Sequence, residues 1–421
     1  MKKFILFIII CFMFLPCVYA DDAEASDGVE IEDEDDFYWE DDVDLGGFWI
    51  QDRGFEMSLF YFNDIHFANN YLTTNMIFSE IINFDLDDIP PVFRMQMNAV
   101  VTPFYFKYNS KRGWGFGLET QIQLTGFTGL NFDLTKISDA KDKKTDFGFA
   151  VYSNVTPNAF FHIRNFKVSV MPTFFTPQAY AKSSISYTLD GANSYADIKY
   201  DIDMYLPFVY DDMEDSGGLP KFTNLTGFDL SASVEYPLSR ELGLEEIHSI
   251  LNFDVGAGFY ALPFIPATMK DGVSIKGSAS IDGSEDITNP KVVNNFDGDP
   301  QSFSRNKYIY RPFTMHFWAN WRPFGTELLT VTPLLGFSVN TLYVEPGSIE
   351  GGITGHLNLS NLFHVKVGIN YMDRMWINSL FLALNLRAVE FNIGTSLRSQ
   401  DFVRSWEGGG FGITLGMKYG W

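Results

Sequence analysis

Phe411-Gly412-Ile413-Thr414-Leu415-Gly416-Met417-Lys418-Tyr419-Gly420-Trp421 closes the chain. Its odd positions are all apolar, and its even positions are Gly, Thr or Lys. A period of two puts these sets on opposite faces of one extended strand. One face suits hydrocarbon and the other suits water. The pattern recurs upstream. Phe363, Val365, Val367, Ile369 and Tyr371 interleave with His364, Lys366, Gly368 and Asn370. Val389, Phe391, Ile393 and Leu397 interleave with Glu390, Asn392, Gly394, Ser396 and Arg398. Trp114, Phe116, Leu118 and Ile122 oppose Gly115, Gly117, Glu119, Gln121 and Gln123, and residues 229–236 and 251–259 alternate in the same way.

Length separates a membrane reading from a soluble one. Strands of globular proteins usually hold about five or six residues, and these alternating runs are nine to twelve long. Ten residues rising about 3.3 Å each at a tilt near 45° cover roughly 23 Å, close to the apolar band of about 25 Å on an outer-membrane barrel. Past the N-terminal segment no stretch of about 20 apolar residues exists to make a spanning helix. Strands that need lipid on one face must then close on themselves. The expectation is an all-β fold, a transmembrane antiparallel β-barrel of about fourteen strands.

Composition agrees. The 421 residues include 42 Phe, 20 Tyr and 8 Trp, which favour strands, and the net charge is −23. No basic stripe exists to neutralise phosphates, so nucleic acid is excluded as a partner, as is docking onto an anionic membrane surface.

The N-terminus divides into three. Lys2 and Lys3 precede the apolar run Phe4–Leu15, and Val18-Tyr19-Ala20 ends it. This describes a secretory signal peptide over 1–20, cleaved between Ala20 and Asp21. Cys11 and Cys17 both lie within it, so the mature chain has no disulfide. Residues 21–44 carry 14 acids and no Lys or Arg, a composition expected to stay solvated and disordered. Residues 45–91 are expected to form a plug in the lumen. Ile77, Phe78, Ile81 and Ile82 suit one helix face, and Pro90-Pro91 would end such a helix. The competing expectation is one or two extra strands, since Met57, Leu59 and Tyr61 alternate. Residues 92–421 are the barrel.

Connections differ in length. Ser360-Asn361, Arg387-Ala388 and Arg322–Gly325 read as short turns; Pro207–Asn224, Pro263–Ser304 and Ser399–Gly409 read as long loops. Short turns belong on the periplasmic rim and long loops outside. Trp114, Trp318, Trp321, Trp376, Trp406 and Trp421 are expected at strand ends, as an aromatic girdle. The alternation assigns Glu119, Gln121, Gln123, His364, Lys366, Asn370, Phe381, Glu390 and Arg398 to the lumen. No pair of the six histidines shows metal-ligand spacing, and no Gly-rich stretch leads into a phosphate loop. Neither an enzyme, nor a metal, nor a cofactor is expected.

Thr414-x-Gly416-x-x-Tyr419-x-Trp421 resembles the C-terminal assembly signal of outer-membrane barrels. That resemblance implies recognition of the last strand by the barrel-assembly machinery. The whole layout, with a luminal N-terminal segment, about fourteen long strands, many aromatics and an aromatic terminus, resembles spirochaetal outer-membrane barrels related to the bacterial long-chain fatty-acid transporters (FadL-like). The resemblance implies a bacterial outer-membrane location, surrounding outer-membrane lipid, and a hydrophobic small-molecule ligand carried by passive passage. A general diffusion porin and a surface adhesin are the alternative expectations.

Overall fold

A computed structural model describes residues 54–70, 73, 92–110, 113–131, 140–163, 165–190, 195–208, 223–244, 248–282, 291–296, 300–343, 346–359, 362–386 and 388–420. The signal peptide, the acidic tail and Trp421 of the assembly signal lie outside these residues, as do Ile77, Phe78, Ile81 and Ile82.

The strands are β1 (Phe55–Asn69), β2 (Val92–Ser110), β3 (Trp114–Asn131), β4 (Ala140–Ile163), β5 (Phe166–Asp190), β6 (Tyr195–Leu206), β7 (Gly227–Tyr236), β8 (Phe253–Ile265) and β9 (Ala267–Asp282). They continue with β10 (Lys291–Phe296), β11 (Gln301–Ile309), β12 (Phe313–Trp321), β13 (Leu329–Val339), β14 (Gly347–Leu359), β15 (Phe363–Met372), β16 (Met375–Asn385), β17 (Val389–Ser399) and β18 (Gly410–Gly420). Fourteen of them form a closed antiparallel ring, in the order β1-β2-β3-β4-β5-β7-β8-β12-β13-β14-β15-β16-β17-β18. The ring closes because β1 pairs with β2 on one edge (Phe55↔Tyr108 to Asn69↔Met95) and with β18 on the other (Glu56↔Gly420 to Ala68↔Gly410). No wall strand is left as a free edge.

The remaining four strands extend one side of the wall upward. β4 and β5, at 24 and 25 residues, outrun the barrel. The upper part of β5 pairs with β6, β6 pairs with β9, and β9 pairs with β10 and β11. Only Pro266 separates β8 from β9, so one direction of chain serves wall and extension. Of Pro263–Ser304, read from sequence as a long loop outside any extra strands, most is therefore extra strand. Ser399–Gly409 holds a short helix, α1 (Phe402–Trp406), N-capped by the Asp401 carboxylate, which accepts from the Arg404 amide at 3.0 Å.

The period-two faces fall as chemistry requires. Along β18, Phe411, Ile413 and Leu415 are exposed outward, and Gly412, Thr414 and Lys418 are buried inward. Two expectations need correction. Residues 45–91 are not a luminal plug throughout, because Phe55–Asn69 is a wall strand. Its alternation is broken twice, with register shifts between Ser58 and Phe62 and between Phe62 and Ile65. Leu59 and Phe60 both face outward, and Phe60 sits at φ 55°. Each bulge inserts a residue and flips the phase, so Tyr61 turns inward where strict alternation from Met57 would turn it out. Trp318 is not a girdle residue either. It is buried in mid-β12, where its Nε1 donates to Glu235 at 3.2 Å.

Gly416, one position of the assembly signal, has a packing reason. A Cβ there would lie 2.0 Å from the Tyr61 ring, which covers β18 at the closing seam. Tyr419 points outward, and Thr414 donates to the Asn63 carbonyl at 2.6 Å. Two positions of the signal, Thr414 and Gly416, thus bear on the contact between first and last strands.

Candidate functional site: a lumen closed by inward-folded connections

Most of the interior is polar, because inward positions of the strands face neither lipid nor a packed core. The residues assigned to the lumen line this wall in separate groups. Glu119 accepts from Thr102 Oγ1 at 3.0 Å and from Gln121 Nε2 at 2.8 Å. Gln123 lies opposite Tyr152 on β4. Glu390 accepts from Asn392 Nδ2 at 2.7 Å. His364 stacks on His356, with Nδ1 and Nε2 2.9 Å apart, and Lys366 is opposite His356 in register. Asn370 is buried on the same face of β15, and Phe381 packs with Ala383 on β16. Arg398 reaches across β18 to Asp64 and His66 on β1. The strands that carry these groups lie at different places around the ring, so they do not converge on one centre.

What converges is a pair of connections. The β13–β14 connection begins with Asn340, whose amide donates to the Pro346 carbonyl at 2.8 Å and whose Oδ1 accepts from the Leu342 amide at 3.1 Å. These bonds hold Leu342 and Tyr343 inward. Leu342 is 1% exposed and packs with Tyr152, Phe175, Tyr180, Tyr205, Met269 and Ile309. The Tyr343 ring lies 4.4 Å from that of Phe127 on β3. Around the wall, β3 is six strands from β13 by way of β12, β8, β7, β5 and β4. The contact therefore crosses the lumen. Lys182 of β5 fixes it from the far side, donating to the Thr341 carbonyl at 2.7 Å and the Tyr343 carbonyl at 3.0 Å.

The second connection is the two-residue β15–β16 turn, Asp373-Arg374, at φ 46° and 66°. Both positive values mark the tight hairpin type that suits strand twist. Gln96 of β2 donates to Asp373 Oδ2 at 2.7 Å, and the Asp373 amide donates to Glu350 Oε1 at 3.0 Å. Glu350 Oε2 is 2.7 Å from His316 Nε2. Arg374 lies 4.6 Å over the Tyr343 ring and donates to the Gly347 carbonyl at 3.1 Å. Turn and loop thus brace each other over the opening.

Burial first, and then the neighbouring Glu350 carboxylate, push the Asp373 carboxyl up to about 7. A solvated aspartate titrates near about 4. The closed form therefore holds this proton more tightly than an open form in which water reaches the turn. Closure is most stable below about pH 4, weakens as pH rises, and is weakest above about 7. Ion leak through planar bilayers is expected to increase between about pH 4 and 7, and Asp373→Asn should flatten the profile. A leak that changes equally with pH in the variant would place the titration elsewhere.

Among solved structures, the chain is similar to a TodX deltaS2S3 mutant monoaromatic hydrocarbon channel, at 9% identity and a TM-score of 0.44 over 88% of this chain and 91% of that one. It is similar to the P. putida toluene transporter TodX at 7% identity and a TM-score of 0.43, over 87% and 90%. The translocator domain of the autotransporter NalP from Neisseria meningitidis follows at 6% identity and 0.34, over 88% and 90%. No protein-family model and no curated sequence matches the chain. The barrel itself is established by the chain's own strand pairing.

The cap was not among the residues assigned from sequence. Its one local signal is Leu342-Tyr343-Val344, an apolar run in the middle of a short connection.

Proposed function

We propose that this protein is a bacterial outer-membrane barrel that passes hydrophobic small molecules, long-chain fatty acids among them, across the bilayer without energy input. An outer wall bearing Phe317, Leu335, Ile353, Val367, Ile393 and Leu415, all exposed, is matched to lipid and would be an aggregation hazard in water. The observation that carries the reading is the cap. Leu342 closes the lumen by entering an aromatic and aliphatic cluster, an arrangement that admits an apolar molecule in its place and bars bulk water. The signal peptide over 1–20 would export the chain. The terminal strand with Thr414, Gly416, Tyr419 and Trp421 would be read by the barrel-assembly machinery.

The test is a paired measurement. The unmodified barrel in planar bilayers should carry little steady current, while proteoliposomes containing it take up labelled hexadecanoate or hexadecane faster than empty ones. The Leu342→Asn, Tyr343→Ala double variant should show a steady open pore, with conductance raised at least about tenfold. The polar wall below the cap favours a second reading, a diffusion porin for small polar solutes. A large steady current through the unmodified protein would establish that reading instead.

A further inference from the structure

Directly beneath the cap, the inner face of β4 presents polar groups that no described residue satisfies. Asn154 is 2% exposed, and neither its amide nitrogen nor its oxygen makes a hydrogen bond among the described residues. Tyr152, two residues along the same face, is 1% exposed, and its hydroxyl is likewise unpartnered. Arg311, close enough to act electrostatically on Tyr152, has a buried Nε without a partner. Buried side-chain polar atoms in native proteins are nearly always bonded, and an unmade bond is destabilising. Three such side chains in one patch point to a bonding partner that arrives from outside.

We propose that this patch is the head-group subsite for an apolar molecule carrying one neutral hydroxyl or carbonyl group. The proposal rests on the passage reading above and deepens it. Tyr152 and Asn154 lie against Pro177 and Phe175 of β5 in register, so the polar patch borders the cluster of Phe175, Met269, Ile309 and Leu342. That cluster takes the apolar body. Asn154 offers both a donor and an acceptor, and the Tyr152 hydroxyl can play either part, which matches an alcohol.

Charge argues against an acid here. The Arg311 guanidinium is already matched by Asp229, whose Oδ2 is 3.3 Å from its Nη1. Asp229 lies opposite Thr173 in register, and Thr173 Oγ1 is 3.0 Å from Thr156 Oγ1, so the patch continues as neutral hydroxyls. A carboxylate entering it would be desolvated close to the Asp229 carboxylate, which already takes the Arg311 charge. A plain alkane would fill the apolar cluster but leave Asn154 and Tyr152 unpaired, and so would bind more weakly.

Calorimetric titration of the full-length barrel in lipid nanodiscs, corrected for empty nanodiscs, with decan-1-ol, decanoate and decane, tests the assignment. Decan-1-ol should bind about tenfold more tightly than either of the others, as expected for about one net hydrogen bond. Asn154→Leu and Tyr152→Phe should each bring decan-1-ol down towards decane and leave decane within about twofold. Should Asn154→Leu fail to show heat-modifiable migration, Tyr152→Phe, which removes a single oxygen, decides. Decanoate binding as tightly as decan-1-ol overturns the neutral head group while leaving hydrophobic passage intact. A preference for decan-1-ol that survives both substitutions overturns the residue assignment. Absence of binding by all three probes overturns both the passage reading and this subsite.

Discussion

Val367→Arg is expected to deplete assembled barrel severely. Val367 is 52% exposed on the outer face of β15, between Gly355 of β14 and Leu380 of β16 in register. It lies in mid-strand, where an arginine facing hydrocarbon costs about 2–4 kcal/mol. Such a penalty is a large fraction of the about 5–15 kcal/mol that holds a typical domain folded. The heat-modifiable band should fall several-fold relative to the unmodified protein. The control must face the lumen on the same strand. Gly368 serves poorly, since a Cβ there would meet Asn370, Ser379 and Thr354 at 2.9–3.1 Å. Lys366→Gln is the better choice and should assemble normally. Equal assembly of Val367→Arg and Lys366→Gln would mean that 363–372 does not face lipid.

Loss of Arg398 should be the most damaging change inside the lumen. Its Nη2 donates to Asp64 Oδ1 at 2.6 Å, its Nη1 to His66 Nδ1 at 2.7 Å, and its Nε to Ser396 Oγ at 2.7 Å. The side chain lies over Gly412 of β18, where a Cβ would come within 3.0 Å of its Nε. Arg398 therefore ties β17 to β1 across the last strand, at the seam where the ring closes. Removing one member of a buried pair strands the other charge and costs about 3–5 kcal/mol. The Asp64 side chain retains 26% exposure, so Arg398→Gln should sit at the lower end of that range. The double variant Asp64→Asn, Arg398→Gln should recover most of the loss, since neither charge is then unpaired. Urea unfolding of barrels refolded into vesicles measures all three. A double variant no more stable than Arg398→Gln would show that the ion pair is not what stabilises the seam.

The two changes differ in how far they could be foreseen. Alternation puts Val367 and Arg398 on opposite kinds of face, and in the structure Val367 is exposed and Arg398 buried. The partner of Arg398 was not foreseen. Asp64 is 334 residues away, and only the closure of β1 on β18 brings it near. β1 is legible only as the competing expectation to a plug, because its two bulges reverse the inward and outward sets within a few residues. Trp318 was misplaced because strand position was used where only the facing Glu235 decides.

Sequence by itself determined the kind of wall: a closed antiparallel barrel of about fourteen long strands with one face to lipid. It could do so because the membrane imposes one local rule, a period of two, on every spanning strand. Only the tertiary structure decided what fills the lumen. Tyr343 reaches Phe127 from a loop six strands away around the ring, and Gln96 meets Asp373 from β2. Contacts across a lumen follow no local period, since they depend on which strands the closed ring sets opposite each other.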